Sequence, residues 1–245
     1  MDLVTGEIIC IDKPIGWTSF DVVKRIRGAV HRRLGVKKFK VGHAGTLDPL
    51  ASGVILVTTG RATKRIEELQ AGVKEYVAVM ALGATTPSFD LETKIDATYP
   101  TDHITQSLVE ETLPRFLGAI SQIPPAFSAC KVGGKPAYLR ARRGEDVELK
   151  PKQLVIDSID LLEFAPDSIT LRIVCSKGTY IRALARDIGQ ALGSGAHLTA
   201  LRRTRVGDFT LDDSLDVDRA CRIISQAPLD LPDEWLAEHP VPSVN

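Results

Sequence analysis

The four cysteines of this chain, Cys10, Cys130, Cys175 and Cys221, lie far apart, and none belongs to a CxxC pair. Metal-ligand spacing is therefore absent, and so is the dense framework of a small disulfide-stapled domain. Reduced, buried thiols are the expectation. No apolar run approaches the roughly 18 residues that a membrane-spanning helix requires. The opening MDLVTGEIICIDKP lacks the basic-then-apolar order of a signal peptide, and the expected location is the cytoplasm. No internal repeat is visible. Net charge is missing too: 31 Lys and Arg balance 31 Asp and Glu, which is not the overall basicity expected of an RNA-binding protein. The balance hides an asymmetry. Gly207 to Asn245 carries nine acids against Arg219 and Arg222, a charge of −7, which leaves +7 on the remainder and room for a phosphate-binding face.

At 245 residues, 44% of them hydrophobic and 25% charged, the chain is long enough to bury a sizeable core as one large domain or two small ones. Its organising stretch is Lys40 to Gly60, KVGHAGTLDPLASGVILVTTG. Gly42, Gly45 and Gly53 open backbone conformations closed to other residues, and Pro49 fixes the chain just after Asp48. An Asp-Pro step reads first as turn chemistry. Here His43, Thr46 and Asp48 share a loop that the apolar run Val54 to Val57 anchors in a core, and loops held by a rigid scaffold are where chemistry sits.

Around this stretch, Glu7 to Ile11 reads as a short strand. Ser19 reads as the N-cap of a helix through Leu34, with Val22, Val23, Ile26, Ala29 and Val30 at helical spacing and Gly35 at its end. Lys24 to Lys40 carries eight Lys and Arg and no acid, either a solvated face or a track for phosphates. Val54 to Thr59 and Lys74 to Leu82 read as strands, with Tyr76 and Ala78 on one face of the second. Thr63 to Gln70 and Thr105 to Leu117 read as helices, Pro114 tightening the last turn of the latter. Residues 124–152 interleave Pro and Gly with seven Lys and Arg, the least globular segment of the chain. Strands over Leu154 to Leu162 and Ile169 to Cys175, a helix from Gly178-Thr179 through Leu192 and a final strand from His197 to Val206 follow. Ser214 then caps a last helix to about Gln226, beyond which Pro228, Pro232, Pro240 and Pro242 end regular structure. Antiparallel-looking strands with scattered helices favour an α+β class over a doubly wound parallel sheet.

GHAGTLDPLASGVIL, KEYVAVMALG, IPPAFSACKVGGKPAYLRARRGE, CSKGTYIRALARDIG and GAHLTALRRTRVG occur in that order, within a resemblance that runs over roughly residues 7 to 207. Together these blocks resemble the TruB family of tRNA pseudouridine synthases, and an ordered set is far more specific than any one motif. The resemblance implies the pseudouridine synthase fold, a mixed and mostly antiparallel central sheet with flanking helices and a thumb loop (about 124–152) over a catalytic cleft. It implies one catalytic domain over residues 1–206. The acidic helix and tail of residues 207–245 are too short for the PUA domain that many relatives carry. The activity implied is isomerisation of uridine to pseudouridine in the T-loop of tRNA, at position 55 in standard tRNA numbering, by a monomer using no metal and no organic cofactor.

The resemblance also implies roles. Asp48 is the catalytic residue; Arg182, from the KGTYIR block, pairs with it and keeps it ionised; Tyr76 stacks under the extruded base and offers a hydroxyl for proton transfer. Tyr180 and Leu201 line the pocket, His43 fills the gap left by the flipped nucleotide, Asp90 contacts RNA, and Lys13 supports the catalytic loop. Read by residue type alone, Arg182 also suits the surface start of an amphipathic helix, and Tyr180 and Leu201 suit a core. Attack by Asp48 on C6 of the base, capture of C1′ of the ribose and proton abstraction at C2′ all fit these residues. Two positions depart from the family pattern: Thr86-Pro87-Ser88 replaces Thr-Asp-Thr, and Phe127 replaces a Tyr. A non-catalytic RNA-binding or RNA-folding protein is the first rival reading, and a small-molecule glycosidase the second; the latter lacks a second carboxylate in the motif blocks.

Overall fold

A computed structural model describes residues 2–229 and 231–238. The chain forms two compact units, one from Met1–Gly72 with Arg203–Asn245, the other from Val73–Arg202. The class is α+β.

The first unit opens with β1 (Ile8–Lys13), α1 (Ser19–Leu34), β2 (Val41–Ala44) and β3 (Ala51–Thr59), followed by a 3-10 turn over Gly60–Arg65 and α2 (Ile66–Ala71). β1 and β2 both pair antiparallel with β3, in the registers Ile8↔Thr58 and Val41↔Thr59. All nine residues of β3 are buried, because its two faces feed two cores. Ile55 and Val57 join Ile9, Ile11, Val22, Ile26 and Val30, whereas Val54 and Leu56 join Cys10, Ala44 and Val206. This is the period-two alternation of a strand covered on both sides, and each such aliphatic side chain contributes about 1.5–3 kcal/mol on burial.

The N-cap of α1 is Thr18 rather than the expected Ser19. Its hydroxyl accepts the Asp21 N–H, and the Asp21 carboxylate accepts the Thr18 N–H in return. A reciprocal box of this kind satisfies two otherwise orphaned donors, and it leaves the Ser19 hydroxyl to bond elsewhere.

The second unit contains β4 (Lys74–Leu82), the small pair β5 (Ala84–Thr85) and β6 (Ala97–Thr98), α3 (Gln106–Thr112) and β7 (Gly118–Gln122). Next come the hairpin β8 (Lys131–Val132) and β9 (Lys135–Pro136), α4 (Ala137–Ala141), β10 (Lys152–Ala165), β11 (Ser168–Cys175), α5 (Ile181–Ala191) and the first part of β12 (Ala196–Val206). The strand order is β12-β4-β11-β10-β7, with antiparallel pairing of β4 to β11, β11 to β10 and β10 to β7. Tyr76, Ala78 and Met80 form the buried face of β4. Pro114 continues α3 as a 3-10 turn over Leu113–Phe116, the tightening its missing N–H demands. Residues 124–152 are more ordered than their composition suggests, since they hold the β8–β9 hairpin and α4.

β12 ends in the first unit and is followed by β13 (Phe209–Thr210), α6 (Val217–Gln226) and α7 (Asp233–Glu238). β12 is thus not the last strand. Asp216, not Ser214, caps α6, its carboxylate accepting the Arg219 N–H. A carboxylate at this position also complements the helix dipole. α7 begins directly after Pro232, where regular structure was expected to have ended; Pro240 and Pro242 lie outside the described residues. Val217, Ala220, Cys221 and Ile224 share a core with α1, and Arg25 pairs with Asp218 at 3.1 Å. The acidic segment after residue 206 folds with the first 72 residues. All four cysteines are free thiols, and three are buried; Cys130 is only half-buried. Among the described residues no helix is long and apolar enough to cross a membrane.

Candidate active site

In the first unit the loop between β2 and β3 is braced at nearly every residue. Gly45, at φ +88°, turns the chain out of β2. The guanidinium of Arg203, on β12, donates through Nη2 to Gly45 O (3.2 Å), through Nη1 to Thr46 O (3.3 Å) and through Nε to Val54 O (2.7 Å). The Ser19 hydroxyl accepts the Leu47 N–H at 2.8 Å and donates to the Leu47 carbonyl. Gly16 N–H donates to Pro49 O, and Ala51 N–H closes a turn onto Asp48 O at 3.0 Å. Gly53 is obligatory, because a Cβ there would lie 2.1 Å from the Arg203 carbonyl oxygen, and its φ of +107° is closed to L side chains. The result is a rigid turn that carries a half-buried Asp48.

Lys13 and His43 belong to the same unit. Lys13 is fully buried at the end of β1, and its ammonium donates to Trp17 O (2.6 Å) and Pro14 O (2.9 Å). Burial pushes its pKa down from 10.5 to about 8, Arg203 acts in the same direction, and the Asp48 carboxylate opposes them. Since the folded form releases this proton near pH 8 and the unfolded chain keeps it to about 10.5, the unfolded state holds more protons between those values. Stability therefore rises with pH across that window, by up to about 3 kcal/mol from this group. Urea unfolding of the wild type and of Lys13→Met at pH 7.5 and about 10 is expected to show the rise in the first and not in the second; equal slopes would dismiss the lysine as its source. His43 sits on β2 opposite Val57, and burial pushes its pKa down with Arg203 adding to the effect, so the imidazole is neutral at pH 7.

The other expected residues lie in the second unit. Arg182, in the first turn of α5, is 4% exposed. Its Nη2 donates to Phe127 O (2.9 Å), its Nη1 to Ser88 O (3.2 Å), and its Nε lies 3.6 Å from Asp90 Oδ2. The alternative of a surface arginine is thereby set aside. Asp90 is buried and turned inward: Oδ1 accepts from the Ser88 hydroxyl and the Glu92 N–H, while Oδ2 faces Arg182. Its carboxylate orients the guanidinium. The two departures from the family pattern fall on these contacts. Ser88 supplies both a carbonyl to Arg182 and a hydroxyl to Asp90, and Phe127 contributes a backbone carbonyl that needs no phenol oxygen. Between Ser88 and Asp90, Phe89 takes φ +62°, uncommon for an aromatic residue, with Arg186 stacked over its ring at 4.9 Å.

Tyr76 is buried on β4 opposite Ile173. Tyr180, at the N-cap of α5, is held by Gln122, which accepts its N–H at 2.9 Å and donates to its carbonyl. The Tyr180 hydroxyl lies 3.5 Å from Cys130 Sγ, and the Lys152 ammonium sits 5.9 Å from its ring centroid. Leu201 is half-buried on β12. The structure thus groups Lys13, His43 and Asp48 in one unit and Tyr76, Asp90, Tyr180, Arg182 and Leu201 in the other.

Two residues escaped the sequence reading. Ser19 suits the cap by residue type, although Thr18 followed three residues later by Asp21 is the better signal. Arg203 was one basic residue among Arg202, Arg203 and Arg205, and no local pattern separates it from the other two. The basic run from Lys24 to Lys40 also divides. Arg25 pairs with Asp218, Arg27 donates to Val41 O and Arg33 to Ala227 O, whereas Lys24, Arg32, Lys37, Lys38 and Lys40 are exposed.

The fold is that of the pseudouridine synthases. Over 89% of its length the chain matches a chain of a Cbf5-Nop10-Gar1 complex, with a TM-score of 0.67 and 32% identity, covering 55% of that chain. It matches a chain of an H/ACA RNP bound to a substrate RNA containing 2′-deoxyuridine with a TM-score of 0.64 and 29% identity, over 88% of this chain and 52% of the other. The family model for the N-terminal domain of TruB family pseudouridylate synthase covers residues 31–181, and that for the C-terminal domain of tRNA pseudouridylate synthase B covers residues 182–224. The chain belongs to the TruB family of pseudouridylate synthases. Relatives named tRNA pseudouridine synthase B are 67% identical over 218 residues in Phocaeicola vulgatus (89% of this chain, 93% of the relative) and 63% identical over 233 residues in Bacteroides fragilis (95% and 100%).

Proposed function

We propose that this protein isomerises a uridine to pseudouridine in tRNA, at position 55 of the T-loop, on a nucleotide swung out of its helix. The observation that supports this most directly is Asp48, half-buried on a loop braced at nearly every residue, in a chain of the TruB family. The reaction breaks the bond from N1 to C1′, turns the base, joins C5 to C1′ and moves the C5 proton to solvent while N1 gains one. No external reductant or oxidant is needed. A carboxylate that attacks carbon and later departs holds the fragments together in the interval. Asp48 takes that role, and Arg182 keeps it ionised. Tyr76 lies under the base, with Tyr180 and Leu201 completing the pocket and His43 filling the vacated space in the RNA. The exposed Lys24 and Arg32 of α1, Lys37, Lys38 and Lys40 just after it, and the basic segment 124–152 take the phosphates of the T-arm, reading shape more than sequence. The enzyme acts as a monomer.

Release of tritium from C5-labelled uridine in a tRNA transcript tests the reading directly, since C5 loses its hydrogen only when it bonds to C1′. A wild-type protein that releases none would overturn it. Tyr76→Phe separates stacking from proton transfer. The ring, and with it roughly 1–3 kcal/mol of stacking, is retained, so KM is expected to change by less than about threefold, while kcat falls about 100-fold for want of the hydroxyl. Full turnover in this variant would remove the hydroxyl from the mechanism.

A further inference from the structure

We infer that Arg203 is a positioning residue for the catalytic loop, a clamp that joins its entering and leaving limbs beneath Asp48; this rests on the reading of Asp48 given above. Arg203 is 1% exposed, the bulkiest of the fully buried side chains among the described residues. Its guanidinium spends all three nitrogens on the Asp48 loop and the strand it enters, binding Gly45 O and Thr46 O before Asp48 and Val54 O, in β3, after it. Those three bonds all go to carbonyls, so the arginine is not spent on neutralising a buried acid. Removing a guanidinium from water is costly, and the return here is geometric.

The fit is two-sided. Gly53 has no side chain where the Arg203 backbone passes, and a Cβ at Gly45 would come within 3.5 Å of Arg203 Nη1. Three acceptors in three directions match a planar fork and not an ammonium, which presents a single nitrogen at the end of a flexible stem. The loop carries one ionisable side chain, Asp48, three residues after Gly45 and six before Val54. A misplacement of about 1 Å at a reacting group is enough to cost about 100-fold in rate. Arg203 reaches the reaction only through this loop, and so its loss is expected in kcat and not in the affinity for RNA.

The test uses the full chain with Arg203→Lys and Arg203→Met. Three quantities are measured: kcat and KM on a tRNA transcript, the melting curve, and amide hydrogen exchange across residues 45–54 compared with β1 and α1. Arg203→Lys is expected to melt cooperatively, to lose at least about 100-fold in kcat with KM for tRNA within twofold, and to exchange at residues 45–54 at least about tenfold faster while β1 and α1 stay protected. Arg203→Met is expected to behave alike, and if it does not fold, the lysine variant decides. The inference is overturned by a kcat within threefold of wild type in folded Arg203→Lys, by unchanged exchange in the loop, or by parallel losses in kcat and KM. Global unfolding of Arg203→Lys also overturns it, because it would assign the arginine to the general core. Should the wild type itself make no pseudouridine, the functional reading falls, and the exchange pattern alone still decides whether the clamp exists.

Discussion

Asp48→Asn is expected to lower kcat for pseudouridine formation by at least about 10⁴-fold, or roughly 5.5 kcal/mol of transition-state stabilisation, while tRNA binding changes by no more than a few-fold. The substitution is nearly isosteric, and the loop backbone is held by Ser19, Gly16 and Arg203, all of which the variant keeps. The turn therefore survives. What is lost is the charge and the ability to form and release a bond to carbon, which an amide lacks. Tritium release measures the first quantity and filter binding of labelled transcript the second. Residual turnover above about 1% of wild type, with deamidation of the asparagine excluded by mass spectrometry, would remove Asp48 from the covalent chemistry and return the non-catalytic rival to consideration.

Arg182→Lys comes second in expected effect, a loss of about 100- to 1,000-fold in kcat with KM within about threefold. The guanidinium addresses three backbone or side-chain groups at once, Phe127 O, Ser88 O and Asp90, and a lysine nitrogen can satisfy only some of them. An unpaired carboxylate in a dry pocket takes up a proton. A cation at about 4 Å and an effective dielectric near 20 offsets this by roughly 4 kcal/mol before desolvation. In the proposed mechanism Arg182 supplies that cation to Asp48, and the fork held by Asp90 sets its direction. Lysine keeps the charge and loses the direction, so turnover suffers and binding does not. Equal losses in kcat and in RNA affinity would instead make Arg182 an RNA contact.

The loop that carries Asp48 and the strand after it are legible because their signals are local. Glycines around an Asp-Pro step, followed by an apolar run, specify a turn entering a buried strand within a dozen residues. β4 was legible for the same reason, its alternation from Lys74 to Leu82 matching the observed burial residue for residue. Errors fell where two local signals competed. Thr18 and Ser19 both suit an N-cap, and only the reciprocal bond with Asp21 decides between them. Ser214 and Asp216 competed in the same way for α6, and the carboxylate took the cap. The family resemblance makes Asp90 a contact to RNA, and nothing nearby in the chain announces that Arg182, 92 positions later, faces it.

By itself the sequence determined the family, the turn that carries Asp48, the strand that follows it and the arginine that opens α5, since each is written in residues adjacent along the chain. Only the tertiary structure decided what surrounds them. Arg203 meets carbonyls 149 to 158 positions away, Lys13 is desolvated to a pKa of about 8, and α6 covers α1. The physical reason is that a buried charge must find its partners among whatever groups packing brings to it, and packing is governed by the burial of whole faces rather than by neighbours in sequence.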